Sequence, residues 1–391
     1  MRDSTPLSTM STENNPLVSV IVPARNEEAC LGLCLESLVA QTGIDFEIIV
    51  VDDVSTDRTA EIARSFSTDR VGAALQARPS NLDFGAGVTA RHQLTVLSAP
   101  PLPDNWTGKN NAMSTGAKIA KGKWLLFTDA DTVHKPGSLA RAVAEAEQHG
   151  AALLSYSPEQ EVRTFWEKAV MPVIFAELAA TYPPKKMNDL ASPIAAANGQ
   201  YLLISREAYD AVGGHTTIAS DLLEDVAMAR LVKSSGRKIF FRYGGDAVRT
   251  RMYRRWAQMK EGWTKNLALL FPRPRGLALL RSAEFMLITG NFVAAIWASL
   301  SGRSRFALEA TLLTIILVGW FWMRIRRANF SQTISFLAMG GLPIFAYLLV
   351  RSTRFHRSHN VSWKGRQYGD IPARAMTHKP PHPSSGGAVH R

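Results

Sequence analysis

The chain has 391 residues with a formal net charge of +12, and 46% of its residues are hydrophobic. This length suffices for one large domain with an appended region. The two cysteines, Cys30 and Cys34, lie four positions apart on one predicted helix face, which disfavours a disulfide and suits a reducing compartment. Residues 1–16 are rich in Ser and Thr and lack the apolar core of a secretory signal. We therefore expect them to be disordered and the following domain to stay in the cytoplasm.

A strand–helix–strand–helix pattern follows. Residues 18–22 form an apolar run that predicts a buried strand, and a helix with acids in its first turn is expected over residues 27–38. A second apolar strand is predicted over residues 46–51, and it ends in Asp52 and Asp53 before another helix begins. Near-continuous apolar strands that alternate with helices predict a parallel, right-handed α/β sheet.

The most informative motif is Asp129-Ala130-Asp131, which follows a short apolar strand predicted over residues 123–128. In parallel α/β sheets, ligands bind beyond the carboxyl ends of the strands. Residues 23–27, Asp53 and the Asp129–Asp131 motif are therefore expected at one edge of the sheet. Paired carboxylates in such a loop suit Mg²⁺ or Mn²⁺, which takes its remaining ligands from water and substrate phosphates.

A further acidic pair, Glu224 and Asp225, lies downstream. Glu224 follows Asp221 at the spacing of a capping box, so it has a structural explanation as well as a functional one. Asp225 is not explained by capping. Near a helix N-terminus its carboxylate is expected to stay ionised, which suits a base that accepts a proton.

In this order, the motifs resemble the signature of family 2 glycosyltransferases with the GT-A fold. They are Pro-Ala-Arg-Asn-Glu-Glu from residue 23, Val-Asp-Asp-x-Ser-x-Asp from residue 51, Phe-Thr-Asp-Ala-Asp-Thr from residue 127, and Glu-Asp at residue 224. Residues 102–112, 197–201, 213–215, 251–253 and 363–368 are similar to the branch that contains hopene-associated and diaponeurosporenoate (carotenoid) glycosyltransferases. The resemblance implies a Rossmann-like nucleotide-diphospho-sugar transferase domain over residues 17–250.

The resemblance also implies roles for individual residues. The nucleotide-sugar donor is expected to contact Pro23, Ala24, Asn26, Glu27, Asp53, Lys109 and Asp129. Asp129 and Asp131 would hold the divalent metal, and Asp225 would deprotonate the acceptor for direct, inverting attack. The acceptor or phosphate side would include Asn198, Gly199, Glu224, Arg251, Arg255 and Trp256.

One element departs from the family pattern. Members often carry Gln/Arg-x-x-Arg-Trp after the Glu-Asp pair, but Met252 stands at its first position here. We expect either that the element has drifted or that Arg251 takes over the phosphate contact. A processive polysaccharide synthase is disfavoured for this reason.

Basic residues are concentrated after the predicted transferase domain. Residues 233–281 contain thirteen Lys and Arg against two acids, and apolar residues that include Trp256 and Trp263 recur every three or four positions. This pattern predicts an amphipathic helix over residues 251–275 at an anionic membrane surface. The membrane explains the basic charge more simply than a nucleic acid does, so no nucleic-acid partner is expected.

The region from 276 to 350 is dominated by apolar stretches. Residues 310–323 and 332–350 carry no charge, and residues 285–300 are a third candidate span. Basic residues flank all three, so charge does not determine the topology. We favour two spans plus one re-entrant or interfacial helix, because residues 363–368 within the basic tail (351–391) are too patterned for a detached segment.

The sequence thus predicts a multi-pass protein of the plasma (cell inner) membrane with a cytoplasmic catalytic domain. Its expected reaction is the inverting transfer of a sugar from a nucleotide-sugar, a UDP-sugar, to a lipid-like acceptor of the isoprenoid, hopanoid or carotenoid type. The alternatives are a polyprenyl-phosphate or polysaccharide glycosyltransferase, and a non-catalytic membrane-anchored binding module.

Overall fold

The computed structural model describes residues 15–66 and 93–368. Residues 1–14 and 369–391, which include most of the N-terminus expected to be disordered and the end of the basic tail, lie outside the described residues.

A mixed sheet forms the centre of the N-terminal α/β domain. Its strands are β1 (Val18–Ala24), β2 (Phe46–Asp52), β3 (Gln93–Ser98), β4 (Trp124–Phe127), β6 (Leu153–Ser157), β8 (Leu202–Ser205) and β9 (Ile239–Tyr243). They are arranged in the order β3-β2-β1-β4-β8-β6-β9. A second sheet has the order β5-β10-β7 and consists of β5 (Thr132–His134), β7 (Glu159–Gln160) and β10 (Val248–Thr250).

Helices cover the sheets and continue beyond them. Those of the N-terminal α/β domain are α1 (Leu31–Val39), α2 (Thr59–Ser65), α3 (Gly108–Ile119), α4 (Ser138–Gln148), α5 (Phe165–Thr181), α6 (Pro184–Asn188), α7 (Arg206–Ala211), α8 (Gly214–Thr217), α9 (Glu224–Ser234) and α10 (Trp256–Leu270). They are followed by α11 (Pro274–Leu300), α12 (Ser304–Ile325), a 3₁₀ turn (Arg326–Ala328) and α13 (Gln332–Arg357).

The apolar strands β1, β2 and β4 are buried on both faces, as expected for a sheet covered by helices. β1 pairs in parallel with β2 and β4, so their carboxyl ends meet at one edge. The predicted parallel arrangement is confirmed for β1 to β4, whereas β8 runs antiparallel between β4 and β6. The parallel half of the sheet is the half that positions the acidic motifs.

The start of α1 also differs from the prediction. This helix begins at Leu31, so Glu27 and Glu28 lie in the loop before it rather than in its first turn. The backbone N–H of Glu27 donates to the Thr59 hydroxyl (2.7 Å), and that of Glu28 donates to Asp57 (3.1 Å). The Glu27 carbonyl accepts the Cys30 and Leu31 N–H groups (2.9 Å each), so the two glutamates belong to a turn that leads into α1.

Three helices within the described residues are long and apolar enough to cross a membrane: Pro274–Leu300, Ser304–Ala328 and Ile334–Arg357. α11 and α12 expose many large apolar side chains, including Leu300 and Trp320, as lipid-facing helices do. α13 packs more closely, with Phe345 and Leu349 in a core shared with α5 and α10.

The apolar face of α10 is covered by protein. The Trp263 ring is 2% exposed and lies edge-on to Phe175 of α5, with ring centroids 6.5 Å apart. Ser352 of α13 accepts a hydrogen bond from the Ala268 N–H (2.8 Å). The expectation that Trp263 lies at the membrane surface is therefore wrong, since α5 and α13 bury the residues that made this helix amphipathic.

A short C-terminal hairpin follows α13. Its strands are β11 (Ser362–Trp363) and β12 (Arg366–Gln367), and Gly365 in the turn has φ 77°. The hairpin contacts the loops after β1 and β2 through Lys364 and Arg366. The part of the tail up to residue 368 thus packs against the N-terminal α/β domain.

Candidate active site

The acidic motifs and the loops around them line one cavity of about 730 Å³. Of the residues expected in the site, its walls include Pro23, Ala24, Glu27, Asp53, Lys109, Asp129, Asp131, Asn198, Gly199, Glu224 and Asp225. The sequence therefore identified residues that are distant along the chain and close together in the fold.

The loop after β1 forms the floor of one end of the cavity. Asn26 has φ 52° and lies at the surface, where its side-chain oxygen accepts the Thr56 N–H (2.9 Å). Its N–H donates to the Ser55 hydroxyl (3.0 Å). Asn26 thus organises the loop, while Pro23, Ala24 and Glu27 supply the wall.

Lys109 joins the two halves of the site. It lies in the first turn of α3, which begins at Gly108 because the Thr107 hydroxyl caps this end by accepting the Asn110 N–H. The Lys109 ammonium is 2.7 Å from Asp129 Oδ1 and 2.6 Å from Glu224 Oε1. Burial opposes its charge, but the two carboxylates outweigh this and hold the pKa of Lys109 well above its usual value.

The expected capping box at Glu224 is not formed. α9 begins at Glu224 with Leu223 as its N-cap, and no side-chain cap is seen there among the described residues. The Glu224 carboxylate instead turns to Lys109, an ion pair that its spacing from Asp221 could not reveal. Burial alone would raise the pKa of Glu224, but Lys109 and Lys265 hold it below the ordinary value.

Asp225 is positioned by two backbone donors. The Gly199 N–H donates to its Oδ2 (2.8 Å), and the Val226 N–H at the start of α9 donates to its Oδ1 (2.8 Å). Burial and the neighbouring charge of Glu224 nevertheless raise the pKa of Asp225 to about 6. The helix N-terminus therefore does not determine its titration alone, but the carboxylate is still mostly ionised at neutral pH.

Gly199 lies where the charged groups converge. A Cβ at this position would be 3.1 Å from Glu224 Oε1, 3.3 Å from Lys109 Nζ and 3.4 Å from Asp225 Oδ2. Asn198 shapes the turn, since its side-chain oxygen accepts the Gln200 N–H (2.9 Å). The small residue lets the backbone donor approach Asp225 closely.

Asp131 has the chemistry expected of a metal ligand. Its Oδ1 atom is buried without a hydrogen-bond partner in the described part of the chain. Burial, with the negative charges of Asp129 and Glu27 nearby, raises the pKa of Asp131 to about 7. No cluster of three or more His, Cys, Asp or Glu that could hold a metal occurs among the described residues. The two aspartates fit a cation that depends on its substrate for further ligands.

Three residues expected on the acceptor or phosphate side lie apart from the described cavity walls. Arg251 forms a two-pronged ion pair with Glu167, which caps α5 (Nε–Oε1 3.0 Å, Nη2–Oε2 3.1 Å). The expectation that Arg251 contacts a phosphate is therefore replaced by a structural role. Arg255 is exposed at the start of α10, and Trp256 packs on Trp166 with ring centroids 5.0 Å apart.

Several cavity residues were not among the expected ones. Lys265 and Asn266 come from α10, while Trp363, Lys364 and Tyr368 come from the C-terminal hairpin. Burial, with the charge of Lys109 nearby, lowers the pKa of Lys265. The patterned sequence at residues 363–368 had indicated that the hairpin is not a detached tail. Lys265 was missed because the apolar periodicity of α10 led us to assign its basic residues to a membrane surface.

A sheet whose parallel strands bring paired acids to a nucleotide-sized cavity is the architecture of GT-A glycosyltransferases. The family model described as Glycosyltransferase like family 2 matches residues 15–261, and the chain belongs to this family. It is a glycosyltransferase with a Rossmann-like GT-A domain followed by apolar helices.

Curated relatives and solved structures with similar chains are also known. The chain is 26% identical to the 4,4'-diaponeurosporenoate glycosyltransferase of Staphylococcus aureus (strain MRSA252), over 91% of this chain and 89% of that protein. Mannosyltransferase PcManGT from Pyrobaculum calidifontis, solved with GDP-Man and Mn²⁺, has a TM-score of 0.47 and 16% identity, covering 88% of this chain and 87% of that one. TarS of S. aureus, solved with UDP-GlcNAc, has a TM-score of 0.38 and 16% identity, with coverage of 87% and 89%.

Proposed function

We propose that the protein transfers a sugar, with inversion, from a nucleotide-sugar to a lipid-like acceptor at the cytoplasmic face of the membrane. The observation that carries this proposal is the composition of the cavity described above. Its walls combine Asp53, Lys109, Asp129 and Asp131 with Asp225 and with several apolar side chains.

The donor end suits a nucleoside diphosphate. Asp129 and Asp131 would hold Mg²⁺ or Mn²⁺, which neutralises charge on the departing diphosphate when it is bound. Lys109 adds a positive charge at the same place. Asp53 is 5% exposed and lines the cavity, where its carboxylate can accept a hydrogen bond from an N–H or O–H of the nucleoside, and we propose a UDP-sugar.

Asp225 would act as the base. As the acceptor oxygen bonds to the anomeric carbon, the bond to the diphosphate breaks and the diphosphate keeps the electron pair. The acceptor proton moves to a carboxylate oxygen of Asp225. Gly199 and Val226 hold that carboxylate in place through their N–H groups, so little reorientation is needed during the reaction.

The acceptor end is apolar. Its wall includes Phe175 and Leu178 of α5, Trp263 and Leu270 of α10, and Phe330 before α13. A poorly soluble chain can lie along such a wall with its reactive group near Asp225. The similarity to the diaponeurosporenoate glycosyltransferase supports an acceptor of the isoprenoid, hopanoid or carotenoid type.

We also propose that α11 and α12 cross the membrane as a helical hairpin. Arg281 near the start of α11 and Arg324 near the end of α12 both contact Glu177 of α5, at 2.9 Å and 3.4 Å. Glu284 is 2.7 Å from Arg324. The start of α11 and the end of α12 therefore lie beside the catalytic domain. The turn that joins the two helices contains exposed Arg303 and lies at the opposite end.

α13 completes this topology. It runs along α5 and α10 and ends beside the catalytic domain, where the His356 ring is 2.7 Å from the Lys265 carbonyl. With two crossings, α13 would lie at the cytoplasmic interface and the catalytic domain would stay in the cytoplasm, at the plasma membrane. A cysteine placed at exposed Gln367 should react with an impermeant reagent in inside-out vesicles and not in intact cells.

The function is tested by incubating membranes that contain the protein with labelled nucleotide-sugars and extracting the lipids. We expect a labelled, neutral or weakly acidic lipid whose anomeric configuration is opposite to that of the donor, and we expect its loss in Asp225→Asn. Label in a polyprenyl-phosphate or in polysaccharide would support those acceptors instead. Nucleotide binding without any transfer would support a binding module.

A further inference from the structure

The C-terminal hairpin closes on the two acids that line the donor end of the cavity. Arg366 of β12 pairs with Asp53 through both terminal guanidinium nitrogens, Nη1 and Nη2, with Nη2 2.9 Å from Oδ1. Lys364 in the turn pairs with Glu27 and donates to the Arg25 carbonyl (2.9 Å). Each donor-site acid thus receives its counter-charge from a segment more than 300 residues further along the chain.

Arg25 fastens the contact from the other side. Its guanidinium donates to the Lys364 carbonyl (3.2 Å) and to the Asp53 carbonyl (2.6 Å). The hairpin and the loops after β1 and β2 therefore share a closed set of hydrogen bonds, in which every charged group has a partner. Such a network holds its members in one arrangement.

The two cations differ in their relation to the cavity. Among the described hairpin residues, Trp363, Lys364 and Tyr368 line the cavity, whereas Arg366 lies behind Asp53. Arg366 is packed against the start of α3, where a Cβ at Gly108 would be 1.5 Å from its Nη1 atom. Arg366 can therefore orient Asp53 without occupying the space of a ligand.

We infer that the hairpin is a fixed wall of the donor site, and that Arg366 is a positioning residue for the nucleoside. This inference rests on the proposed function. A carboxylate has about four acceptor sites, so Asp53 can accept two hydrogen bonds from Arg366 and still accept one from a nucleoside N–H or O–H. Lys364 fixes Glu27 in the same way and adds an ammonium group to the wall of the nucleoside pocket.

Without Arg366, the Asp53 side chain would lose its bidentate partner while it remained only 7% exposed. Loss of one member of a buried, hydrogen-bonded charge pair impairs binding that depends on the other. The defect should concern the donor alone, because Asp225 and the apolar wall do not depend on Arg366. A change in donor KM with little change in kcat distinguishes this role from general destabilisation.

The test uses the full-length protein in detergent with UDP and Mg²⁺ as the probe. We expect Arg366→Ala to weaken UDP binding and raise donor KM at least about tenfold, with kcat and acceptor KM within about threefold of the parent. Arg366→Lys should recover part of the affinity, because it restores the charge but not the two-pronged geometry. Gln367→Ala is the matched control, since Gln367 is an exposed neighbour on the same strand, and it should bind UDP like the parent.

Lys364→Met provides a second reading if Arg366→Ala does not fold, and it should also weaken UDP binding. A parent that binds UDP while both variants bind it equally well would overturn this inference and leave the proposed function standing. So would a loss of kcat and of acceptor affinity that Arg366→Lys does not relieve. A parent that binds no nucleoside diphosphate would overturn both.

Discussion

The titration of Asp225 makes a quantitative prediction about the reaction rate. With a pKa of about 6, roughly 90% of the carboxylate is ionised at pH 7 and roughly 10% at pH 5. If Asp225 accepts the acceptor proton, turnover should therefore fall about ninefold between these pH values. An aspartate with the ordinary pKa of 3.8 would remain more than about 90% ionised at pH 5 and give a nearly flat profile.

The groups around Asp225 explain why its pKa is raised. The charged or titratable groups that face it are Glu224 on its own helix, Lys109 from α3, Lys265 from α10, and Tyr182 after α5. Burial and Glu224 raise the pKa of Asp225, while Lys109 lowers it. Lys109 stays protonated from pH 5 to 8 and adds no step of its own there, whereas Asp131, whose pKa is raised to about 7, is to be kept ionised in the assay by saturating divalent metal.

The assay is turnover at saturating donor from pH 5 to 8, together with Asp225→Asn. This variant should lose about 10²-fold or more in turnover and keep nucleotide affinity. Because the folded-state pKa of Asp225 is raised, its ionisation disfavours folding as pH rises from 4 through 6, so the variant should unfold no earlier than the parent at pH 8. Asp210→Asn, at an exposed helix position, is the matched control. A flat profile, or an Asp225→Asn enzyme with normal turnover, would refute the reasoning.

Three further predictions follow from the site and the core. Asp131→Ala should abolish metal-dependent nucleotide binding measured by calorimetry, and activity that survives a chelator would contradict it. Lys109→Met leaves Asp129 and buried Glu224 without the positive charge that they share. Donor KM should therefore rise at least about tenfold, and the melting temperature of the protein should fall. An unchanged donor KM would show that Lys109 is not part of the donor site. Trp263→Ala should lower the free energy of unfolding, measured in denaturant, by about 3 kcal/mol or more, because the ring is buried. If the variant instead lost binding to lipid vesicles at unchanged stability, Trp263 would lie at the membrane surface after all.

The predictable part of this fold is local. β1, β2 and β4 are continuous apolar runs, and acidic residues follow β2 and β4 at the carboxyl edge of the sheet. The apolar pattern of the strands was therefore enough to predict that Asp53, Asp129 and Asp131 lie close together. The expectation that Asp225 is ionised and can accept a proton came from its position near the start of a predicted helix. Sequence reasoning succeeded where the signal lies within about ten residues of the group concerned.

The remaining features depend on contacts between distant segments. Glu224 fits a capping box by spacing, but the ammonium of Lys109 offers a stronger partner from another helix. Arg251 fits a phosphate contact by motif, but Glu167 pairs with it. An amphipathic pattern likewise shows that one face of α10 is apolar and must be covered. It does not show whether lipid covers this face or whether α5 and α13 do.

The contact between Arg366 and Asp53 has a consequence for how the enzyme matures. Synthesis proceeds from the N-terminus, so the sheet that carries Asp53 can form well before the hairpin leaves the ribosome. All three long apolar helices are made in between. We therefore expect the part of the proposed donor site that the C-terminal hairpin forms to be missing from a nascent chain until these helices have been made. If that site binds the donor as proposed, sugar transfer would begin only after the three apolar helices are complete.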